Sequence, residues 1–230
     1  MDEYEREFLK ANADLFSESI EQLPRQLDAS LSRTLDLLFE TDGHVIVSGV
    51  GKSGHVGRKF AATLASTGTP AFFVHSTEAA HGDLGMITAG STVVALSKSG
   101  ETDELGGLLL FACERGIPIV AVTMNGDSTL ARHATAALVL PSVAEGGPFG
   151  SAPTTSSLVM MAAGDLLALG LARRRGFGRD DFAKLHPGGT LGATLASAAD
   201  IMHGAEELPI VETGSSVGTA ILKITEKRFG

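Results

Sequence analysis

The sequence predicts an α/β protein with a doubly wound, mostly parallel five-stranded sheet and an N-terminal helical segment. Short β-branched runs alternate with helical windows, an order typical of a parallel sheet with helices on both faces. Two loops rich in glycine and serine directly follow two of these runs. The chain also has 28 glycines, no tryptophan and 5% aromatic residues, which favours α/β packing with many tight turns.

The helical segment is predicted over residues 1–42. Its apolar positions recur at intervals of three and four, so they share one face of a helix: Ile20, Leu23, Leu27, Leu31, Leu35 and Leu38. Pro24 is expected to kink this segment or to start a second helix. We expect the apolar face to have surface left to bury beyond its own domain, which indicates a subunit interface.

The sheet domain is predicted over residues 43–197. Its strands are expected at His44–Ser48, Ala71–Val74, Thr92–Leu96, Ile117–Thr123 and Ala136–Leu140. Helices are expected at Gly54–Ser66, Thr102–Arg115 and Thr155–Arg175. Residues 198–230, with an amphipathic helix at Val217–Lys227, contain too few apolar positions to fold alone and are predicted to open a second domain that is cut off.

Composition excludes several classes of function. The chain has 230 residues, 18 Lys+Arg against 27 Asp+Glu and a net charge of −9, which argues against a general nucleic-acid or membrane binder. Cys113 is the only cysteine, so an internal disulfide and a cysteine-based zinc site are excluded, and we expect this residue in the core. The charged N-terminus lacks the apolar core of a signal peptide, and Gly164 and Asp165 interrupt the longest apolar stretch. A soluble cytoplasmic protein is expected.

The first loop, Gly49–Gly54, lies between a predicted strand and a predicted helix. A Walker A loop would need glycine at the position of Ile46, so that interpretation fails. The glycine spacing fits the G-x-G-x-x-G of dinucleotide sites, but the acid that would hold the ribose is missing at the end of the next strand. A tight turn with close helix packing is the structural alternative. Lys52 and Ser53 favour contact with an anion or a sugar.

The second loop, Ser97–Thr102, directly follows the predicted strand Thr92–Leu96 and precedes a helix. Its three hydroxyls and the N–H groups at a helix N-terminus suit a phosphate dianion. A helix cap by Ser99 is the alternative, but a cap needs one hydroxyl and this loop offers three. We therefore expect Ser97, Ser99 and Thr102 to hold phosphate together with the first loop.

The second loop matches S-x-S-G-x-T, the signature of sugar isomerase (SIS) domains, which bind phosphosugars. Further stretches resemble the bacterial arabinose 5-phosphate isomerases: Gly49–Lys59, Ala65–Pro70, Glu78–Met86, Ala152–Ser157 and His186–Gly189. The resemblance covers most of residues 40–230 and implies a flavodoxin-like SIS sheet. A pair of CBS domains follows the isomerase domain in that family, and Asp200–His203 is similar to the start of the first one. The resemblance thus implies that residues 198–230 begin a truncated CBS domain.

The activity implied by the resemblance is interconversion of D-arabinose 5-phosphate and D-ribulose 5-phosphate through a cis-enediol, feeding Kdo biosynthesis without cofactor or metal. Such chemistry needs a base that moves a proton between C1 and C2, an electrophile for the oxyanion and often an acid that opens the ring. By resemblance, five residues match the active-site positions: Lys52, His81, Glu104, Glu145 and His186. Gly51 and Ser53 of the first loop join the phosphate site. The family forms homotetramers in which histidine-bearing loops reach a neighbour's site, so shared sites are expected.

Roles within this set are assigned as hypotheses. Glu145 is the expected C1/C2 base, Lys52 the oxyanion partner and His186 the group that opens the ring or moves the hydroxyl proton. Each residue also has a structural alternative: Glu104 could complement a helix dipole, His81 could hydrogen-bond to backbone, and His186 could end a helix. The hydroxyls of residues 154–157 are expected to cap the helix that follows them.

Two departures separate the chain from the family pattern. The family's phosphate loop carries asparagine where this chain has Lys98, and Pro-Gly where it has Ser76-Thr77. An extra cation beside the phosphate strengthens binding or signals a different phosphosugar.

Two rival functions are a non-catalytic phosphosugar sensor and a nicotinamide-dependent oxidoreductase. Two acids and two histidines argue against the first, and the missing ribose acid and the serine-rich second loop argue against the second.

Overall fold

The structure is a computed structural model that describes residues 1–26, 29–188 and 202–229. The chain forms two compact units, residues 1–182 and 183–230. Over the described part of the first unit, five parallel strands form one sheet in the order β2-β1-β3-β4-β5. The strands are β1 (Val45–Gly49), β2 (Ala71–Phe73), β3 (Thr92–Leu96), β4 (Ile119–Thr123) and β5 (Ala136–Val139). The predicted fold class is confirmed, and every predicted strand has its counterpart.

Helices connect and cover these strands. In chain order, the helices described are α1 (Glu3–Glu21), α2 (Leu23–Gln26), α3 (Ala29–Phe39), α4 (Gly51–Ser66), α5 (Ser76–Ala79), α6 (Gly106–Glu114), α7 (Thr129–His133), α8 (Thr155–Arg174), α9 (Arg179–Leu185) and α10 (Val217–Glu226). Short 3-10 turns lie at Asp83–Met86 and Asp103–Leu105. Pro24 lies inside α2, so the chain starts a new helix there, as the sequence indicates.

The central strands β1, β3 and β4 are buried at every position, because helices cover both faces of the sheet. On one face, Val47 packs with Phe60 of α4 and Leu167 of α8. On the other face, Ile46 and Leu108 of α6 belong to a second apolar cluster. The strand order reverses between β1 and β3, which is where parallel sheets of this kind open a crevice for ligands.

The N-terminal apolar face is used inside the chain, which corrects the expectation that it has surface to spare. Leu23 and Leu38 are buried in the main core, and Leu31 and Leu35 pack against it. Leu27 lies outside the described residues. Ile20 is the exposed member among the described residues of this face. Since its other described members pack inside the chain, the face as a whole no longer indicates an interface. Large exposed apolar side chains lie instead on α1 and α8, namely Tyr4, Leu9, Leu166 and Leu169.

Cys113 is exposed, so its predicted core position is wrong. Leu108 and Ala112 of α6 face the sheet, and Cys113 follows Ala112 at a position rotated by about 100° around the helix axis, so it faces away from the sheet.

Among the described helices, α8 alone has the length and apolar composition to cross a bilayer. Half of its most apolar stretch is buried inside the protein, and its buried positions include Val159, Met160 and Leu167. It is the central core helix of the first unit.

The second unit contains α10, whose start is capped by Ser216. Oγ of Ser216 accepts a hydrogen bond from N of Thr219 at 3.1 Å. Val217, Ile221 and Leu222 of this helix are exposed. The predicted domain boundaries at residues 42 and 197 stay predictions, and Asp200 and Ile201 of the Asp200–His203 stretch lie outside the described residues.

Candidate functional site

The first loop leads directly from β1 into α4. Val50 stands at the N-cap position and supplies no side-chain cap, so the first N–H groups of α4 remain available to an anion. A Cβ on Gly54 would lie 2.7 Å from the carbonyl oxygen of Gly49, so glycine allows this close approach. Gly51 and Lys52 are exposed, and Ser53 is half-buried with its Oγ directed to Sδ of Met160 at 3.8 Å.

The second loop starts beside the first. Gly49 and Leu96 are register partners in adjacent strands, so the chain leaves the sheet at neighbouring points for both loops. Ser97 is buried, and its Oγ lies 2.7 Å from Oγ1 of Thr102 and accepts a hydrogen bond from N of Gly100 at 2.9 Å. Ser97 thus shapes the loop from inside. Ser99 is exposed, which leaves its hydroxyl accessible to a ligand.

The turn before α7 supports the second loop from behind. N of Leu130 donates to the carbonyl of Gly100 at 3.1 Å, and N of Thr129 donates to Oε1 of Glu101 at 2.8 Å. The hydrogen bonds from Thr129 lower the pKa of Glu101. The loop is therefore held in one conformation on its side away from the crevice.

Glu145 lies in the loop that connects β5 to α8, and its side chain is 5% exposed. N of Thr154 and N of Ser156 donate to Oε2 at 2.9 and 3.2 Å. The hydroxyl of Ser156 and Nζ of Lys98 both donate to Oε1, the latter at 2.6 Å. The carboxylate therefore caps α8 and also ties that helix to the second loop.

The protonation of Glu145 follows from these contacts. Burial raises the pKa of the carboxyl, because the charged form loses hydration. The hydrogen bonds from Lys98, Ser156 and the N–H groups of Thr154 and Ser156 act in the opposite direction and prevail. Together they lower the pKa of Glu145 to about 2, so the group is an anion at neutral pH and, in this arrangement, a weak base.

The cap of α8 differs from the one predicted. Thr154 stands at the N-cap position without a side-chain cap bond, and its Oγ1 instead accepts from N of Gly146 at 3.0 Å. The expectation that the hydroxyls of residues 154–157 cap the helix is wrong, because the Glu145 carboxylate takes the N–H groups of Thr154 and Ser156. Asn12 of α1 also holds this loop, since its Oδ1 accepts from N of Gly147 at 2.7 Å.

The other predicted site residues lie at separate places. Glu104 is exposed in the 3-10 turn after the second loop, and this turn contacts α5. His81 is exposed shortly after α5. Over the described residues, the side chains of Glu104 and His81 have no hydrogen-bond partner. His186 follows α9 and belongs to the second unit, so its part in the site stays a prediction.

The structure thus brings the two loops and Glu145 together at one edge of the sheet. Sequence reasoning missed that Lys98 and Ser156 are the partners of Glu145. Lys98 stood out only as an unusual residue in its loop, and no spacing along the chain indicates a contact between residues 98 and 145. In the described part of the chain, no group of three or more His, Cys, Asp and Glu side chains is arranged to hold a metal.

Comparison with known proteins identifies the family. The family model described as SIS domain matches residues 37–170, more than half of the chain. The chain belongs to the SIS domain family. The match spans the sheet and both loops of this SIS chain.

Curated relatives of this SIS chain include two named isomerases. It is 49% identical over 208 residues to arabinose 5-phosphate isomerase KpsF of Escherichia coli, covering 90% of this chain and 65% of the relative. It is 42% identical over 214 residues to arabinose 5-phosphate isomerase KdsD of E. coli strain K12, covering 93% of this chain and 65% of the relative. In each case the chain spans 65% of the relative's length, which is slightly less than two thirds.

A solved structure resembles the SIS chain as well. The structure of the E. coli CFT073 protein c3406 in complex with arabinose 5-phosphate superposes with a TM-score of 0.75 at 37% identity. The alignment covers 81% of this chain and 100% of the other.

Proposed function

We propose that this chain is the isomerase part of an arabinose 5-phosphate isomerase, which interconverts D-arabinose 5-phosphate and D-ribulose 5-phosphate in Kdo biosynthesis. The observation that carries the proposal is the meeting of the hydroxyl-rich second loop with a buried, ionised carboxylate at the edge where parallel sheets bind ligands. The relatives named as isomerases and the arabinose 5-phosphate complex of a similar SIS protein support the choice of substrate.

The reaction needs no external oxidant. A base removes the proton from C2 of the open-chain aldose, O1 gains a proton, and the cis-enediol forms. Return of a proton to C1 and loss of the proton on O2 then give the ketose. The net change moves one proton from C2 to C1 and one from O2 to O1. Side chains that accept and donate protons are therefore sufficient in principle.

The second loop and the start of α4 form the proposed phosphate site. The hydroxyls of Ser99 and Thr102 and the free N–H groups after Val50 are the donors, while Ser97 holds the loop in shape. Lys52, which is exposed at the start of α4, is the proposed oxyanion partner. Gly51 and Ser53 belong to the same helix start.

The proposed base remains Glu145, with one condition that its contacts impose. Four donors occupy the carboxylate, so it has to lose at least one of them before it accepts a proton. Glu104 is the second carboxylate of the proposed site. Its side chain is exposed, and it lies three residues after Glu101 at the end of the phosphate loop.

The proposed assembly is a cytoplasmic homotetramer in which His186 reaches a neighbour's site. The exposed apolar side chains of α1 and α8 provide surface for subunit contacts.

We also propose that residues 198–230 begin a CBS domain, as their sequence resemblance implies. His81 completes the proposed polar site.

A ketose-detection assay tests the activity. Arabinose 5-phosphate is compared with unphosphorylated arabinose and with pentose and hexose phosphates, and we expect turnover of the 5-phosphate alone or far above the rest. Glu114→Gln on the exposed side of α6 is the control variant and should turn over normally. No ketose from any phosphosugar, with binding retained in a thermal-shift assay, would favour a sensor. Stabilisation by NAD instead would favour an oxidoreductase.

A further inference from the structure

Lys98 links the proposed phosphate site to the proposed base. Its Nζ lies 2.6 Å from Oε1 of Glu145, and its side chain is 44% exposed while that of Glu145 is 5% exposed. The carbonyl of Lys98 accepts hydrogen bonds from N of Met124 at 3.1 Å and from Oγ1 of Thr123 at 3.2 Å. The backbone of Lys98 is therefore fixed, and its long side chain keeps the freedom to change partner.

A bound phosphate would compete with Glu145 for this cation. Lys98 stands between Ser97 and Ser99 in the loop proposed to hold the phosphate. A lysine ammonium is a flexible point charge with three donors, and it pairs with whichever anion offers the larger attraction. At equal distance and dielectric constant, a phosphate dianion attracts it about twice as strongly as one carboxylate does.

We propose that Lys98 is a positioning residue that exchanges partners: it holds Glu145 while the second loop carries no phosphate, and it turns to the phosphate group when a phosphosugar binds. The exchange removes the charged donor from Oε1 of Glu145 and leaves the Ser156 hydroxyl there, so the carboxylate becomes basic enough to take a proton from the sugar. This inference rests on the proposed function, because it needs a phosphorylated ligand on the second loop.

The remaining contacts of Glu145 keep the carboxylate in place after the exchange. The first turn of α8 contributes the Ser156 hydroxyl and the N–H groups of Thr154 and Ser156, and α1 contributes the uncharged Asn12 beside the same loop. Lys98 is the charged group among its described contacts. Losing a cation at this distance raises the pKa of a carboxyl by about one to two pH units, which increases its basicity. A sugar without a phosphate group gives Lys98 no second anion, so Lys98 stays paired with Glu145 and the carboxylate stays a weak base.

The exchange is measurable without turnover. The carboxyl carbon of Glu145 is followed by ¹³C NMR at about pH 8, where inorganic phosphate is mainly a dianion, with and without phosphate, and its signal is assigned by its loss in Glu145→Gln. Amide signals of Ser99 and Gly100 report phosphate binding in the same samples. We expect phosphate to move the Glu145 carboxyl signal to the position that it has in Lys98→Met, where the carboxylate has lost its charged partner. If phosphate shifts the amide signals but leaves the carboxyl signal of Glu145 unchanged, the exchange is overturned while the proposed function stands.

Variants separate the charge of Lys98 from its packing. Lys98→Met should show the shifted carboxyl signal of Glu145 already without phosphate and no further response to phosphate, whereas Lys98→Arg should keep the response. Lys59→Met is the matched control, because the side chain of Lys59 is about as exposed as that of Lys98 and pairs with Asp165 of α8, and this variant should respond like the natural protein. A phosphate response in Lys98→Met equal to that of the natural protein would overturn the proposal. Failure of phosphate to bind at all would reject both the exchange and the proposed phosphate site.

Discussion

Gly100 and Ser128 pack so closely that a Cβ on Gly100 would lie 2.0 Å from Oγ of Ser128. Ser128 has little room to yield, because its Oγ donates to the carbonyl of Asn125 at 2.7 Å and accepts from N of Ala131 at 3.3 Å. Gly100 also has a φ of 71°, which is unfavourable for residues with a Cβ. The phosphate loop therefore requires glycine at this position for two independent reasons.

Gly100→Ala should destabilise the protein and weaken phosphosugar binding. The left-handed backbone costs about 1–2 kcal/mol and the contact with Ser128 adds about 1–3 kcal/mol. Urea unfolding measures the first effect and isothermal titration with the phosphosugar the second. Gly106→Ala is the control, because φ there is −53° and a Cβ meets nothing within 4 Å. Equal stability of the two variants would contradict the prediction.

Substitution of Ser97 and of Ser99 in the phosphate loop should affect different properties, stability in the first case and phosphosugar binding in the second. Ser97→Ala leaves the N–H of Gly100 and the hydroxyl of Thr102 without their buried partner, so the free energy of unfolding should fall by about 1–3 kcal/mol. Ser99→Ala removes an exposed donor, so stability should change by less than about 0.5 kcal/mol. Its KM for the phosphosugar should instead rise about 10- to 100-fold. A reversed pattern in unfolding and steady-state kinetics would show that the roles are exchanged.

The carboxylate of Glu145 should make stability depend on acidity. Its pKa in the folded chain is lowered from 4.5 to about 2, so its contribution is complete above pH 4.5 and disappears as pH falls toward 2. The full contribution is of the order of 3 kcal/mol. Natural protein and Glu145→Gln are compared by urea unfolding between pH 7 and pH 3. The stability difference should shrink over the acid half of this range, whereas a constant difference would contradict the lowered pKa.

Subunits of the proposed tetramer should complement one another. If Lys52 and His186 of one site come from different chains, Lys52→Ala and His186→Ala should each be nearly inactive. After mixing and reassembly, some sites would carry both intact residues, so activity should return. Ketose production is measured together with subunit exchange by mass spectrometry. Exchange without recovery would place both residues in one chain and reject shared sites.

The sheet and its loops could be predicted because local patterns encode them. The β-branched run Thr92–Leu96 is buried at every position and matches β3 residue for residue. The loops after β1 and β3 follow from the same pattern, since parallel strands direct their carboxyl ends to one edge. Periodicity also located α4 and α8 to within three residues at each end.

The partners of Glu145 could not be predicted, because they are brought together by packing and not by spacing. Lys98 and Glu145 lie on different loops, and Ser156 enters through the placement of α8 on the sheet. Periodicity likewise assigned Leu23 and Leu38 to one apolar face but could not show which surface that face covers. For Cys113, the surrounding apolar residues indicated a core position, while the rotation of α6 decided its exposure.

The pairing of β1 with β3 also governs how the site comes into being during synthesis. Val45 pairs with Thr92, so the two loops cannot meet until a complete βαβ crossover has left the ribosome. The loop with Glu145 follows later still, and its capping partners lie in α8. Contacts between distant parts of the chain slow folding, and partly formed sheets with unpaired edges aggregate. Nascent chains that stall before α8 would therefore carry the phosphate loop and Glu145 without the α8 donors that hold this carboxylate, and should depend most strongly on chaperones.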